Sequence, residues 1–162
     1  MAKLLVAPVS AGLDVAAASK AFAQALGAQV FQPLDASAET LLAQGKSDDW
    51  FDAVVGKAVA LNTDNLVIEG IAPEADKLFL SGKNVELALS LDAGVVLALQ
   101  SDSADAAEAA HRINLAKQLY TNSPGLLEGF IIEGAAASVG EEVAHLTGLI
   151  FYGSSSALKD VS

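Results

Sequence analysis

The run Pro8-Val9-Ser10-Ala11-Gly12-Leu13-Asp14 has the residue types of a strand-to-helix turn and some of those of a phosphate-binding loop. In the loop pattern GxxxxGK[ST], glycines let backbone N–H groups curl around phosphate, a lysine reaches the β- and γ-phosphates, and a hydroxyl holds magnesium. Gly12 stands where the second glycine belongs and Ser10 offers a hydroxyl, but Leu13 replaces the lysine and Asp14 the hydroxyl residue. Leu13 brings no charge, and Asp14 brings a negative one to the place where phosphate oxygens would arrive. As the cap of a following helix Asp14 is well suited, because its side chain accepts from the unpaired N–H groups of a first turn. Ser10, Gly12 and Asp14 are therefore read as vestigial phosphate-loop positions.

Glu69 is the second residue placed for chemistry. In NLVIEG, Asn65 to Gly70, an apolar strand ends in an acid, the arrangement in which a carboxylate holds magnesium directly or through water. Glu69 is accordingly the candidate metal ligand, although a solvent-facing strand end explains it equally well. His111 and His145 have no ligand company at metal spacing. Ser154 to Ser156 lack the Gly-x-Ser-x-Gly elbow that exposes a nucleophile. Asp102, Asp105 and Glu108 read as the start of a helix, where acids complement the dipole. No catalytic residue is assigned and no cofactor is expected.

These residues must be positioned by alternating strands and helices. Strands are predicted at Lys3–Ala7, Gln29–Gln32, Asn65–Glu69, Gly94–Leu99, Gly129–Glu133 and Leu149–Tyr152, several of them apolar without alternation, as in parallel strands buried on both faces. Helices are predicted at Asp14–Leu26, Asp48–Leu61 and Ala104–Tyr120. In Val85–Leu91 the strict alternation of Val85, Leu87, Leu89 and Leu91 favours a strand, whereas helix propensity and the need for a crossover favour a helix; helix is the reading adopted. The fold class is α/β, a mostly parallel sheet with helices on both faces. Ligands of such sheets sit beyond the carboxyl ends of the strands. That singles out the loops Pro8–Leu13, Pro33–Ser37, Gly70–Lys77, Gln100–Ser103 and Gly134–Gly140. Residues 1–153 read as one domain, and 154–162 as a flexible tail or the start of a linker.

Composition narrows the partners. Nine basic against 20 acidic residues give a net charge of -11 in 162 residues, so a nucleic-acid backbone is repelled. Apolar runs such as Val95–Leu99 fall far short of the roughly 20 residues that span a bilayer. No export signal stands at the start, and there is no cysteine, so neither a disulfide framework nor a zinc–thiolate site is available. A soluble, cytoplasmic protein with neither nucleic acid nor membrane as a partner is expected.

KLLVAPVSAGLDV, VFQPL, NLVIEGIAP and KNVELALSLDAGVVLALQSD, with GFIIEG and GLIFYG as later strands, together resemble the N-terminal domain of long-form bacterial phosphate acetyltransferase, itself similar to dethiobiotin synthetase. The resemblance implies a P-loop-like three-layer α/β sandwich with a regulatory or assembly role. It implies that the parent exchanges acetyl groups between coenzyme A and phosphate in a separate C-terminal domain, for which this chain has no room. That domain, a second copy of the chain and a small-molecule effector are the partners it implies. This chain alone is expected not to be catalytic. Two other classes stand beside it: an ATP-dependent ligase of the dethiobiotin synthetase kind, and a free-standing interaction module using an apolar surface around Trp50 and Phe51.

Overall fold

A computed structural model describes residues 2–10, 12–33, 36–61, 65–71, 83–102 and 104–159. Six parallel strands form one sheet in the order β2-β3-β1-β4-β5-β6: β1 (Ala2–Pro8), β2 (Gln29–Phe31), β3 (Asn65–Glu69), β4 (Gly94–Gln100), β5 (Leu127–Glu133) and β6 (Ile150–Phe151). The helices are α1 (Val15–Leu26), α2 (Ala36–Ala43), α3 (Ser47–Ala60), α4 (Lys83–Leu91), α5 (Ala106–Lys117) and α6 (Ala137–Thr147). A small antiparallel hairpin, β7 (Gly153–Ser154) and β8 (Ala157–Leu158), follows the sheet.

Continuous apolar strands mean that successive side chains leave the sheet on opposite faces and both must be covered. On one face, Leu4, Val6, Val67, Val96, Ala98 and Ile131 pack with Ala18, Phe22 and Ala23 of α1. On the other, Leu5, Leu66, Ile68, Leu97, Leu99 and Phe130 pack beneath α2 to α6 through Leu42, Trp50, Val54, Leu87, Ile113 and Val143, among others. Among the described residues, one face thus carries a single helix and the other carries five. Tyr120 lies in the five-helix core, where burial pushes its hydroxyl up to about 12.

The predicted strands and helices fall within a few residues of those observed, and Val85–Leu91 is helical. Leu87 and Leu91 are buried while Leu89 is exposed, so the apparent alternation has no counterpart in the packing. Two helices were not anticipated. α2 begins inside the predicted Pro33–Ser37 loop, and α6 begins at Ala137, inside the predicted Gly134–Gly140 loop. Gly140, which looks like loop composition, is a packing position: a Cβ there would lie 2.1 Å from the Phe151 ring.

Two further expectations need correction. Trp50 is fully buried, its Nε1 donating to the Pro33 carbonyl at 3.3 Å and its ring 4.6 Å from that of half-buried Phe51, so no apolar docking surface centres on it. The start of the predicted tail is folded as well, since Ser154 to Leu158 form the hairpin and the Lys159 N–H donates to the Tyr152 carbonyl at 2.9 Å.

Candidate functional site at the carboxyl ends of the strands

The exit of β1 is fixed by hydrogen bonds to β4. Val9 N–H donates to the Ala98 carbonyl at 2.8 Å, and the Ser10 hydroxyl accepts from Gln100 N–H at 3.2 Å. Ser10 therefore ties two strand ends together. Leu13, in the place of a phosphate-loop lysine, is buried against α1 and the sheet. Its side chain is a core anchor and cannot be exchanged for a charge without loss of that packing. Asp14 is the N-cap of α1, accepting from Ala17 N–H at 3.0 Å. The cap consumes one of the few donors that a phosphate would need, and it places a carboxylate beside the rest. Gly12 is exposed, has no left-handed backbone, and has open space where a Cβ would stand. The geometry here needs no glycine. The structure places Ser10, Gly12 and Asp14 between the end of β1 and the start of α1, where the Leu13 N–H donates to the Ser10 carbonyl at 3.3 Å.

Glu69 closes β3 beside β1, in register with Val6. Its carboxylate accepts from Gln32 Nε2, just past the end of β2, at 2.9 Å. Among the described residues no group of three or more His, Asp or Glu side chains is placed to hold a metal ion. His111 and His145 are exposed on α5 and in the last turn of α6. Asp105 is the N-cap of α5, accepting from Ala107 and Glu108 N–H at 3.0 and 3.4 Å. Of the predicted Gly70–Lys77 loop, residues 72–77 lie outside the described residues, as does Ser103 of the next loop.

Two features of this rim escaped sequence reasoning. Asn84 of α4 grips the backbone just past β3, accepting from Ile71 N–H at 2.7 Å and donating to the Ile71 carbonyl at 2.9 Å. No local pattern announces this pair. At the end of β5, Glu133 accepts from Ser155 N–H at 2.5 Å and from the Ser155 hydroxyl at 2.7 Å. Its carbonyl accepts from Ser101 N–H at 2.9 Å, while the Gln100 carbonyl takes an Arg112 Nη1 donor at 3.2 Å. A signal for Glu133 did exist, because GFIIEG repeats the strand-Glu-Gly ending of NLVIEG.

No family profile matches the chain. Over 102 residues, 60% of its length, it is 32% identical to the phosphate acetyltransferase of Deinococcus radiodurans. Over 108 residues, 64% of its length, it is 32% identical to that of Haemophilus influenzae. The chain is thus similar in sequence to part of phosphate acetyltransferase. The matched segments span 14% and 15% of those two proteins. Among solved structures, a gluconokinase from Sinorhizobium meliloti 1021 aligns over 91% of each chain with a TM-score of 0.39 and 13% identity. No helix among the described residues is long and apolar enough to cross a membrane.

Proposed function

We propose that this chain is an N-terminal regulatory and assembly domain of a phosphate acetyltransferase, with a degenerate nucleotide site and with acetyl transfer residing in a separate C-terminal domain. The observation that carries the reading is the 32% identity to two phosphate acetyltransferases over 102 and 108 residues. Supporting it is the rim itself, where Leu13 is core, Asp14 is a cap and Glu69 is held by Gln32. Ser10, Gly12 and Asp14 are the remains of a phosphate loop, and Glu69 is the former metal position. The partners are the acetyltransferase domain, a second copy of the chain, and a small-molecule effector, in the cytoplasm.

Calorimetric titration of the pure chain with magnesium and millimolar ATP tests the site. No heat of binding is expected, since a helix N-terminus at an exposed position contributes only about 0.3–1 kcal/mol and Asp14 opposes it. Tight ATP binding abolished by Glu69→Ala would overturn the reading in favour of the ATP-dependent ligase. Acetyl-CoA formation from acetyl phosphate by the pure chain, above a buffer control, would contradict the assignment of catalysis elsewhere.

A further inference from the structure

The hairpin that follows the sheet is too small to hold itself. Each of its strands has two residues, and even a longer isolated hairpin is marginal in water. Its position is set by what it is attached to. At the tip, Ser155 donates to the Glu133 carboxylate through both its N–H and its hydroxyl. Along its length, Leu158 packs against the apolar cluster of α1, Phe22 and Ile131, beside Tyr152. At the base, Lys159 N–H donates to the Tyr152 carbonyl, and Lys159 Nζ lies 3.4 Å from Glu141 and 5.1 Å from the centre of the Phe151 ring.

These attachments are unequal. The Lys159–Glu141 pair is exposed, and exposed ion pairs contribute little. The Ser155–Glu133 contact is a pair of charge-assisted hydrogen bonds in a half-buried place, the stronger kind. Gly153 opens the hairpin in a conformation that belongs to glycine: its φ is +97°, and a Cβ there would lie 2.2 Å from the Ala157 carbonyl oxygen.

We propose that residues 153–159 form a strap latched at the carboxyl end of β5 by Glu133. Released from Glu133, the strap opens as a unit while the sheet stays folded, and it uncovers the apolar seat of Leu158 beside α1. The carboxyl rim and the single-helix face are thereby joined, because whatever draws Glu133 away from Ser155 frees an apolar surface some distance from the rim. The inference does not depend on the acetyltransferase reading, and its test involves neither nucleotide nor acetyl transfer.

Native-state hydrogen exchange on the 162-residue chain tests it. The Ser155 and Lys159 amides are expected to exchange faster than those of Val96 to Leu99 in β4. Glu133→Gln should accelerate the strap amides by roughly 10- to 100-fold, the factor that corresponds to losing a hydrogen bond to a charged group, while β4 remains the more slowly exchanging of the two. Ser155→Ala removes one of the two bonds and should give a smaller acceleration. Binding of the fluorescent apolar probe ANS should rise in Glu133→Gln. Strap amides that exchange at the β4 rate in the unaltered chain, or that ignore Glu133→Gln, overturn the proposal, and an unchanged ANS signal overturns the uncovering of the seat. Should Glu133→Gln loosen the whole sheet, Ser155→Ala decides: acceleration confined to the strap supports the latch, and sheet-wide or absent acceleration overturns it.

Discussion

Val67-Ile68-Glu69-Gly70 and Ile131-Ile132-Glu133-Gly134 are nearly the same tetrapeptide at the carboxyl ends of two parallel strands, and their apolar residues share the same two cores, yet the Glu and the Gly of each are there for different reasons. Glu69 takes a neutral amide from just past the neighbouring strand β2, whereas Glu133 takes both donors of a serine 22 residues away in sequence. Gly70 lacks room, since a Cβ would lie 2.2 Å from the Val6 carbonyl oxygen, to which its N–H donates at 2.9 Å. Gly134 instead has a left-handed backbone at φ +91°, and its Cβ would meet the Ser101 carbonyl oxygen at a tighter-than-usual 3.0 Å. Nearly identical motifs acquire their roles from what folds against them.

The contrast can be broken or sharpened by substitution, with urea denaturation as the common measurement. Gly70→Ala should be the most damaging, at about 3 kcal/mol, because β1 and β3 must part to admit a methyl group between paired backbones. A cost equal to that of Gly134→Ala would erase the distinction between a crowded glycine and a left-handed one. Glu133→Ala should follow at about 1.5–3 kcal/mol, as two charge-assisted hydrogen bonds are lost in a half-buried place. Gly134→Ala should cost about 1–2 kcal/mol, the ordinary penalty for forcing an L side chain into the left-handed region. Glu69→Ala should cost only about 0.5 kcal/mol, since its hydrogen bond is exposed. A loss there as large as for Glu133 would mean that Glu69 anchors more of the rim than Gln32. Smallest of all is Gly12→Ala, which should range from no change to a gain of about 0.5 kcal/mol, because neither its backbone nor its surroundings require glycine.

Gly12 also shows where reading the sequence stops. Strand positions were legible because Leu4–Ala7, Leu66–Ile68 and Val95–Leu99 are apolar without alternation, and burial on both faces of a parallel sheet leaves that trace. The cap at Asp14 was legible because capping is local. Neither α2 nor α6 was seen, the latter because Gly140 suggests a loop until Phe151 is known to lie against it. The alternation of Val85 to Leu91 pointed the wrong way, and the crossover argument decided it correctly. At the rim, sequence reasoning singled out residues following β1 and at the end of β3, but not the pairing of Glu133 with Ser155 or of Asn84 with Ile71. Those pairs join residues 22 and 13 positions apart, beyond the reach of a local pattern, and no spacing within either partner encodes them. Trp50 misled for the opposite reason: a lone large aromatic among acids looks like a surface anchor, and its environment is a core completed by strands and helices on either side.

The outer strands of the sheet are three and two residues long, β2 on one side and β6 on the other. An unpaired strand edge is a template on which further chains can add, and its reach scales with the number of free backbone groups in a row. Here that row is short on both sides, and a net charge of -11 makes approaching copies repel. Val30 and Ile150, the exposed apolar residues on these edges, are each a single position rather than a run. The chain has therefore blunted the route by which parallel sheets grow into fibrils, and a concentrated solution should stay clear of fibrils on storage.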